Sequence, residues 1–138
     1  MYSQKYFAMK KILIVEDNHD IQTQIKWGLS QELDILQAFN RSDAIELFMK
    51  NRPPVVTLDL GLPPEEDSAR EGLACLREIL EKAPETRVIV VTANNDSEVK
   101  IEATKTGAYA YYLKPVDKDA LKAVIQRALN LSSSEEDS

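Results

Sequence analysis

Short apolar runs alternate along this chain with segments whose apolar residues recur every three or four positions. "KILIVED" (11–17) is rich in β-branched residues and ends on acids, which predicts a strand. "DIQTQIKWGLS" (20–30) places Ile21, Ile25 and Leu29 four apart, on one face of a helix. "LDILQAF" (33–39) is a second strand, and Ser42 caps a helix with the stripe Ala44, Ile45, Phe48 and Met49. "PPVVTLD" (53–59) is a third strand, with its prolines before it rather than inside it. Ser68 and Glu71 have capping-box spacing ahead of Leu73, Leu76 and Leu80. "RVIVVTA" (87–93) is a fourth strand; Asn95 and Glu98 repeat the capping spacing, and the helix they start ends at Gly107. "AYYLKP" (110–115) is a fifth strand, closed by Pro115. Asp117 caps a last helix that buries Ala120, Leu121, Val124, Ile125, Ala128 and Leu129.

Five strand–helix units without an internal repeat predict an α/β doubly wound parallel sheet, covered on both faces. The nearly continuous apolar strands "ILIV", "VVTL" and "VIVV" fit burial on both sides. Crossovers should be right-handed. In such sheets a site forms beyond the carboxyl ends of the strands, where strand order reverses.

Composition narrows the picture. The 138 residues suit one domain, with 23 acids against 17 bases and a net charge of -6. That sign argues against direct nucleic-acid binding, which needs a basic face, and suits a cation or a basic partner. Cys75 is the single cysteine, so no intrachain disulfide forms, and a reducing, cytoplasmic setting is expected. No apolar stretch approaches the roughly 18 residues of a membrane span, so no membrane association is expected. Residues 1–9, "MYSQKYFAM", read as a flexible lead-in without an apolar signal-peptide core. The folded domain is expected over 10–131, and 132–138, "SSSEEDS", reads as an acidic disordered tail or the start of a linker.

The strand ends carry a selective set of groups. The first ends in Glu16 and Asp17, the third in Asp59, the fourth in Thr92 and the fifth in Lys114. The second offers only Ala38 and Phe39. With the first strand central, one rim gathers three carboxylates, a hydroxyl and an ammonium. Three adjacent carboxylates resist full ionisation. A hard divalent cation such as Mg2+, which takes oxygen ligands and keeps waters, resolves that conflict. Lys114 and Thr92 would meet an anion beside the cation. Asp59 is placed as a nucleophile towards phosphorus. The set is suited to forming and holding an aspartyl phosphate.

The segments "ILIVEDN", "VTLDLGLP", "VIVVTA" and "AYYLKP", in this order, resemble the receiver domain of bacterial two-component response regulators. The likeness covers roughly Lys10 to Leu131. It implies a flavodoxin-like (βα)5 sheet in the order 2-1-3-4-5. It implies that Asp59 accepts a phosphoryl group from a phosphohistidine of a sensor histidine kinase. Asp17 would ligate Mg2+ directly, Glu16 mostly through water, and Gly61 through its backbone carbonyl. Lys114 would pair with the phosphoryl group, Thr92 would swing towards it, and Tyr111 would turn inward. Only the family spacing to Lys114 singles out Tyr111 from Tyr109 and Tyr112. The family usually has two aspartates where this chain has Glu16 and Asp17. Gly61 would turn its carbonyl towards the metal, and Pro63 and Pro64 would keep the loop from collapsing over the site. The output would be read on the fourth helix, fifth strand and last helix, a face suited to homodimerisation. The long loop Leu62 to Gly72 and "EILEKAPETRVIVVTA" are similar to receivers of NtrC-like, sigma-54-dependent transcription regulators, notably a PEP-CTERM-associated group. In that group an ATPase and a DNA-binding domain follow, so the likeness implies an excised receiver.

Other readings of the same residues compete. An acid after a strand is commonly a helix cap, Thr92 fits a strand by propensity, and Lys114 could be a surface lysine. His19 reads as a first-turn surface residue and Cys75 as a buried apolar group. A haloacid-dehalogenase-type phosphatase would also use an Asp nucleophile with Mg2+, but its second Asp would stand where this chain has Gly61. A nucleotide or flavin binder would need a glycine-rich phosphate cradle after the first strand, and none is present. A degenerate receiver acting only as a protein-interaction module would lack some of the five groups found here.

Overall fold

The computed structural model describes residues 9–29 and 31–137. The strands are β1 (Lys10–Val15), β2 (Leu33–Ala38), β3 (Val55–Leu58), β4 (Arg87–Thr92) and β5 (Ala110–Leu113). The helices are α1 (His19–Leu29), α2 (Arg41–Asn51), α3 (Arg70–Lys82), α4 (Ser97–Thr106) and α5 (Lys118–Asp137). All strand pairs are parallel, in the order β2-β1-β3-β4-β5, as the alternating pattern and the family likeness implied.

Strand alternation splits the core into two layers. Leu13, Val15, Val56, Leu58, Val88 and Val90 face α2, α3 and α4, where Phe48, Leu76, Ile79 and Ala103 pack. Ile12, Ile14, Val55, Ile89 and Val91 face the other way, against Leu29 of α1 and Leu121, Val124, Ile125, Ala128 and Leu129 of α5. Strands buried on both sides need apolar residues at every position, which is why periodicity two is absent from their sequences.

Several local expectations are corrected. Asn40, not Ser42, caps α2: its backbone is extended and its side chain accepts from the Asp43 amide. No side chain caps α3 as a box; Ser68 Oγ accepts from the Arg70 amide, and Glu71 turns to Arg41 of α2 at 3.4 Å. Asp96 rather than Asn95 caps α4, with its carboxylate accepting from the Glu98 amide. Before α2 and α4 adjacent polar residues compete to cap, and the one whose backbone is extended takes the role. Met49 and Ala120 sit at the margins of their helical stripes and are exposed. Other expectations hold: Gly107 ends α4 at φ 120°, where a Cβ would be strained, and Asp117 caps α5 through the Ala120 amide. Of the expected lead-in, 1–8 lie outside the described residues, as does Ser138 of the expected tail. The backbone of α5 runs through Asp137, into that tail, because extending a formed helix costs little per residue.

Candidate phosphoryl and metal site

Glu16, Asp59 and Lys114 are each the first residue past a strand, yet each stays bonded to the neighbouring strand. The Glu16 amide donates to Ala38 O (3.0 Å), the Asp59 amide to Val15 O (2.9 Å) and the Lys114 amide to Thr92 O (2.9 Å). The ladder thus outlasts the strands by one residue and holds these three side chains rigidly at one rim. Gln22 adds to this clamp. It is buried in α1 at 1% exposure, and its Nε2 donates to Ile14 O (3.0 Å), Glu16 O (3.1 Å) and Ala38 O (2.8 Å). The sequence reading missed it, although its spacing of seven from Leu29 places both on one helical face. Asn18 caps α1 through the Ile21 amide and donates its own amide to Glu16 Oε2 at 3.1 Å.

One carboxylate oxygen from each of Glu16, Asp17 and Asp59 lies within 4.8 Å of the others. Such an all-oxygen set fits a hard divalent cation, and the three acids expected to hold it do converge. Lys114 spans two of them, its Nζ 2.6 Å from Glu16 Oε1 and 2.9 Å from Asp59 Oδ2. The other Asp59 oxygen, Oδ1, accepts from the Gly61 amide at 3.0 Å. Burial pushes the Glu16 carboxyl up to about 7; Lys114 pulls against this and the Asp59 charge adds to it. Burial also works to lower the Lys114 ammonium, but its bonds to Glu16 and Asp59 outweigh that and raise it.

Thr92 is buried, and its Oγ1 accepts from the Asn94 amide at 3.3 Å. Tyr111 is half-buried and donates its hydroxyl to Asn94 O at 3.1 Å. Burial, with the Asp96 charge, raises its phenol. Thr92 and Tyr111 therefore grip Asn94 from its two backbone ends.

Gly61 needs its missing Cβ for a reason the sequence did not suggest. A Cβ there would stand 2.7 Å from the Glu66 carbonyl oxygen, so the loop after β3 folds back onto the rim. Gly72 is tighter still, with an added Cβ 2.2 Å from Leu60 Cα. The loop leaves a depression beside the rim, which Glu66 lines together with Asp17. The neighbouring Asp17 carboxyl, by hydrogen bonding and by charge, raises the Glu66 carboxyl.

Two depressions meet at Asp59. A groove of about 510 Å³ between α1 and α5 is lined mainly by apolar side chains such as Ile21, Ile25, Val116 and Leu121. The other, about 340 Å³, is lined by Asp17, Asp59, Gly61, Glu66, Ser68, Thr92 and Asn94. The smaller depression has the polar walls that a hydrated cation or an anion would need. His19 stacks on Phe39 with ring centroids 4.2 Å apart, at the edge of the rim. Cys75 is buried, and burial pushes its thiol up to about 12, as an inert core group. Among the described residues no helix is long and apolar enough to cross a membrane.

Comparison with known proteins agrees with this geometry. Residues 12–126 match the model of the family described as "Response regulator receiver domain". The chain is 33% identical over 127 residues to the regulatory protein AtoC of Escherichia coli (strain K12), covering 91% of this chain and 26% of that protein. It is 29% identical over 119 residues to the DNA-binding transcriptional regulator NtrC of Proteus hauseri, covering 86% of this chain and 24% of that protein. The chain spans less than half the length of the first curated relatives it matches. The crystal structure of the receiver domain of NtrX from Brucella abortus superposes with a TM-score of 0.76 at 33% identity, over 86% of this chain and 98% of that one.

Proposed function

Because this chain belongs to the response regulator receiver domain family, we propose that Asp59 is its phosphoacceptor, that Glu16, Asp17, Asp59 and the Gly61 carbonyl hold Mg2+, and that a sensor histidine kinase is the donor. The family works in phosphorylation-dependent two-component signalling. One observation carries the residue assignment: the Lys114 ammonium lies 2.9 Å from Asp59 Oδ2, beside three converging carboxylates.

In the proposed reaction an Asp59 oxygen attacks phosphorus. The new O–P bond forms as the N–P bond to the donor imidazole breaks. The electron pair goes to that nitrogen, which takes a proton from water. Bound Mg2+ would neutralise charge on the phosphoryl oxygens. Lys114 stands ready to exchange its carboxylate partners for a phosphoryl oxygen. Thr92 would turn its hydroxyl to donate to another, releasing the Asn94 amide. Tyr111, bonded to the same residue, would then feel the change. This shifts an equilibrium between two arrangements of the loop after β4.

The domain is proposed to catalyse only its own phosphorylation and slow dephosphorylation. Transcription is the proposed output, through an NtrC-like, sigma-54-dependent protein; the likeness to a DNA-binding transcriptional regulator supports it. Ile101 of α4 and Leu113 of β5 are 53% and 49% exposed, which supports homodimerisation on the α4–β5–α5 face. The deciding experiment treats wild type and Asp59→Asn with acetyl phosphate and Mg2+. Wild type should gain one phosphoryl mass and the variant none; equal labelling of the variant would reject Asp59 as the acceptor.

A further inference from the structure

We propose that Gln22 and Gln37 form a hydrogen-bonded relay that aims the two adjacent acids of the cation site, with Gln22 a positioning residue that acts through the peptide bond joining Glu16 to Asp17. This rests on reading Glu16, Asp17 and Asp59 as the Mg2+ ligands. Gln22 is 1% exposed, and its Nε2 lies 3.0 Å from Ile14 O, 3.1 Å from Glu16 O and 2.8 Å from Ala38 O. Three carbonyls around one atom demand the NH2 end of the amide there, which leaves Oε1 in need of a donor. Gln37 of β2 supplies it: its Nε2 donates to Gln22 Oε1 at 3.0 Å and to Gln22 O at 3.3 Å. Both ends of the Gln22 amide are thereby used, and the side chain is held in one orientation.

The carbonyl of Glu16 and the amide of Asp17 belong to one planar unit. A donor fixed on that carbonyl therefore sets the plane, and with it the directions in which both side chains leave the backbone. The other ends of Glu16 are held as well. Its amide donates to Ala38 O, the carbonyl that Gln22 also uses, and its carboxylate accepts from the Asn18 amide at 3.1 Å. β2 ends in Ala38 and Phe39 and brings no charged group to the rim. Through Gln37 and the Ala38 carbonyl it nevertheless steers the acids that follow β1. Mg2+ demands near-ideal octahedral geometry, so a turned peptide plane is felt as lost affinity.

The test is calorimetric titration of the full chain with Mg2+ alone, below the melting temperature of every variant. Gln22→Met keeps the length of the side chain and removes its donors; it should bind Mg2+ about tenfold more weakly than wild type. Gln37→Met, at a partly exposed site where folding is less at risk, should do the same. Gln37→Lys retains a donor for Gln22 Oε1 and should restore affinity to within about twofold. Adding Gln37→Met to Gln22→Met should cost less than about twofold more, because the relay is already broken. Ile79→Val lowers the melting temperature from the core layer on the opposite face of the sheet and should leave Mg2+ affinity unchanged, which separates positioning from a general loss of stability. Wild-type affinity in Gln22→Met, or an equal loss in Ile79→Val, would overturn the positioning role. Wild-type affinity in Gln37→Met, additive losses in the double variant, or Gln37→Lys as weak as Gln37→Met would overturn the relay. A wild type that takes up no Mg2+ would remove the metal-site reading together with it.

Discussion

Lys114 and Glu16 stand 98 residues apart in the chain, and their charged groups meet at 2.6 Å. The contact joins the end of β5 to the end of β1 with β3 and β4 between them. It pairs two of the three carboxylates proposed to hold a cation with one ammonium.

That pairing gives a first expectation. Lys114→Ala removes the counter-charge from two buried carboxylates, which should destabilise the metal-free protein by about 1–3 kcal/mol. It should also tighten Mg2+ binding, because the ion no longer competes with the ammonium. Urea unfolding with and without Mg2+ measures both effects; weaker Mg2+ binding in the variant would contradict the competition.

The Glu16 carboxyl gives a pH dependence. Its native value of about 7 lies above the ordinary 4.5. Between those values the native state holds a proton that the unfolded chain has released, so this group's stabilising contribution falls as pH rises through the window, by up to about 1.4 kcal/mol per pH unit. Lys114, raised above its ordinary value, loses its contribution only at still higher pH. Without metal, Glu16→Gln should flatten the decline between pH 4.5 and 7 relative to wild type. With saturating Mg2+ the wild-type decline should vanish. Parallel stability curves for the two proteins without metal would refute the assignment.

Gly72→Ala sets a new methyl 2.2 Å from Leu60 Cα, and backbone cannot yield as a side-chain tip can. A loss of about 3 kcal/mol is expected, with weakened Mg2+ binding because the loop over the rim must shift. A melting temperature within a degree or so of wild type would show that the loop absorbs the methyl.

Gln22→Leu keeps the bulk of the side chain and removes its donor to three carbonyls at the ends of β1 and β2. The expected cost is about 1–3 kcal/mol, measured by urea unfolding. An unchanged midpoint would mean that those carbonyls find other partners.

Thr92 and Tyr111 share Asn94, so Thr92→Ala should uncouple Tyr111 from the site. Beryllofluoride with Mg2+ should shift the Tyr111 amide signal in wild type and leave it nearly still in the variant. Equal shifts would show that Tyr111 responds by another route.

Much of this was legible in the chain. The acids of the trio follow apolar runs, and a parallel sheet brings such positions to one rim whatever the details. Glu66 and Gln22 were not legible. Glu66 lies in a loop whose path depends on two glycines meeting backbone from elsewhere. Gln22 is polar on a helix whose rotation is decided by the groove it packs into. The caps slipped by one or two residues because segments such as "NRSD" (40–43) and "NNDS" (94–97) contain several competent groups.

By itself the sequence determined the alternation of elements, the two-sided burial of the strands and the kinds of groups at their carboxyl ends. These depend on periodicity and composition over a few neighbouring residues. Only the tertiary structure decided that Lys114 bridges Glu16 and Asp59, that Gln22 clamps the rim and that the Glu66 carbonyl packs on Gly61. Those contacts join residues far apart or on independently folded turns, and their distances follow from how helices and loops close onto the sheet.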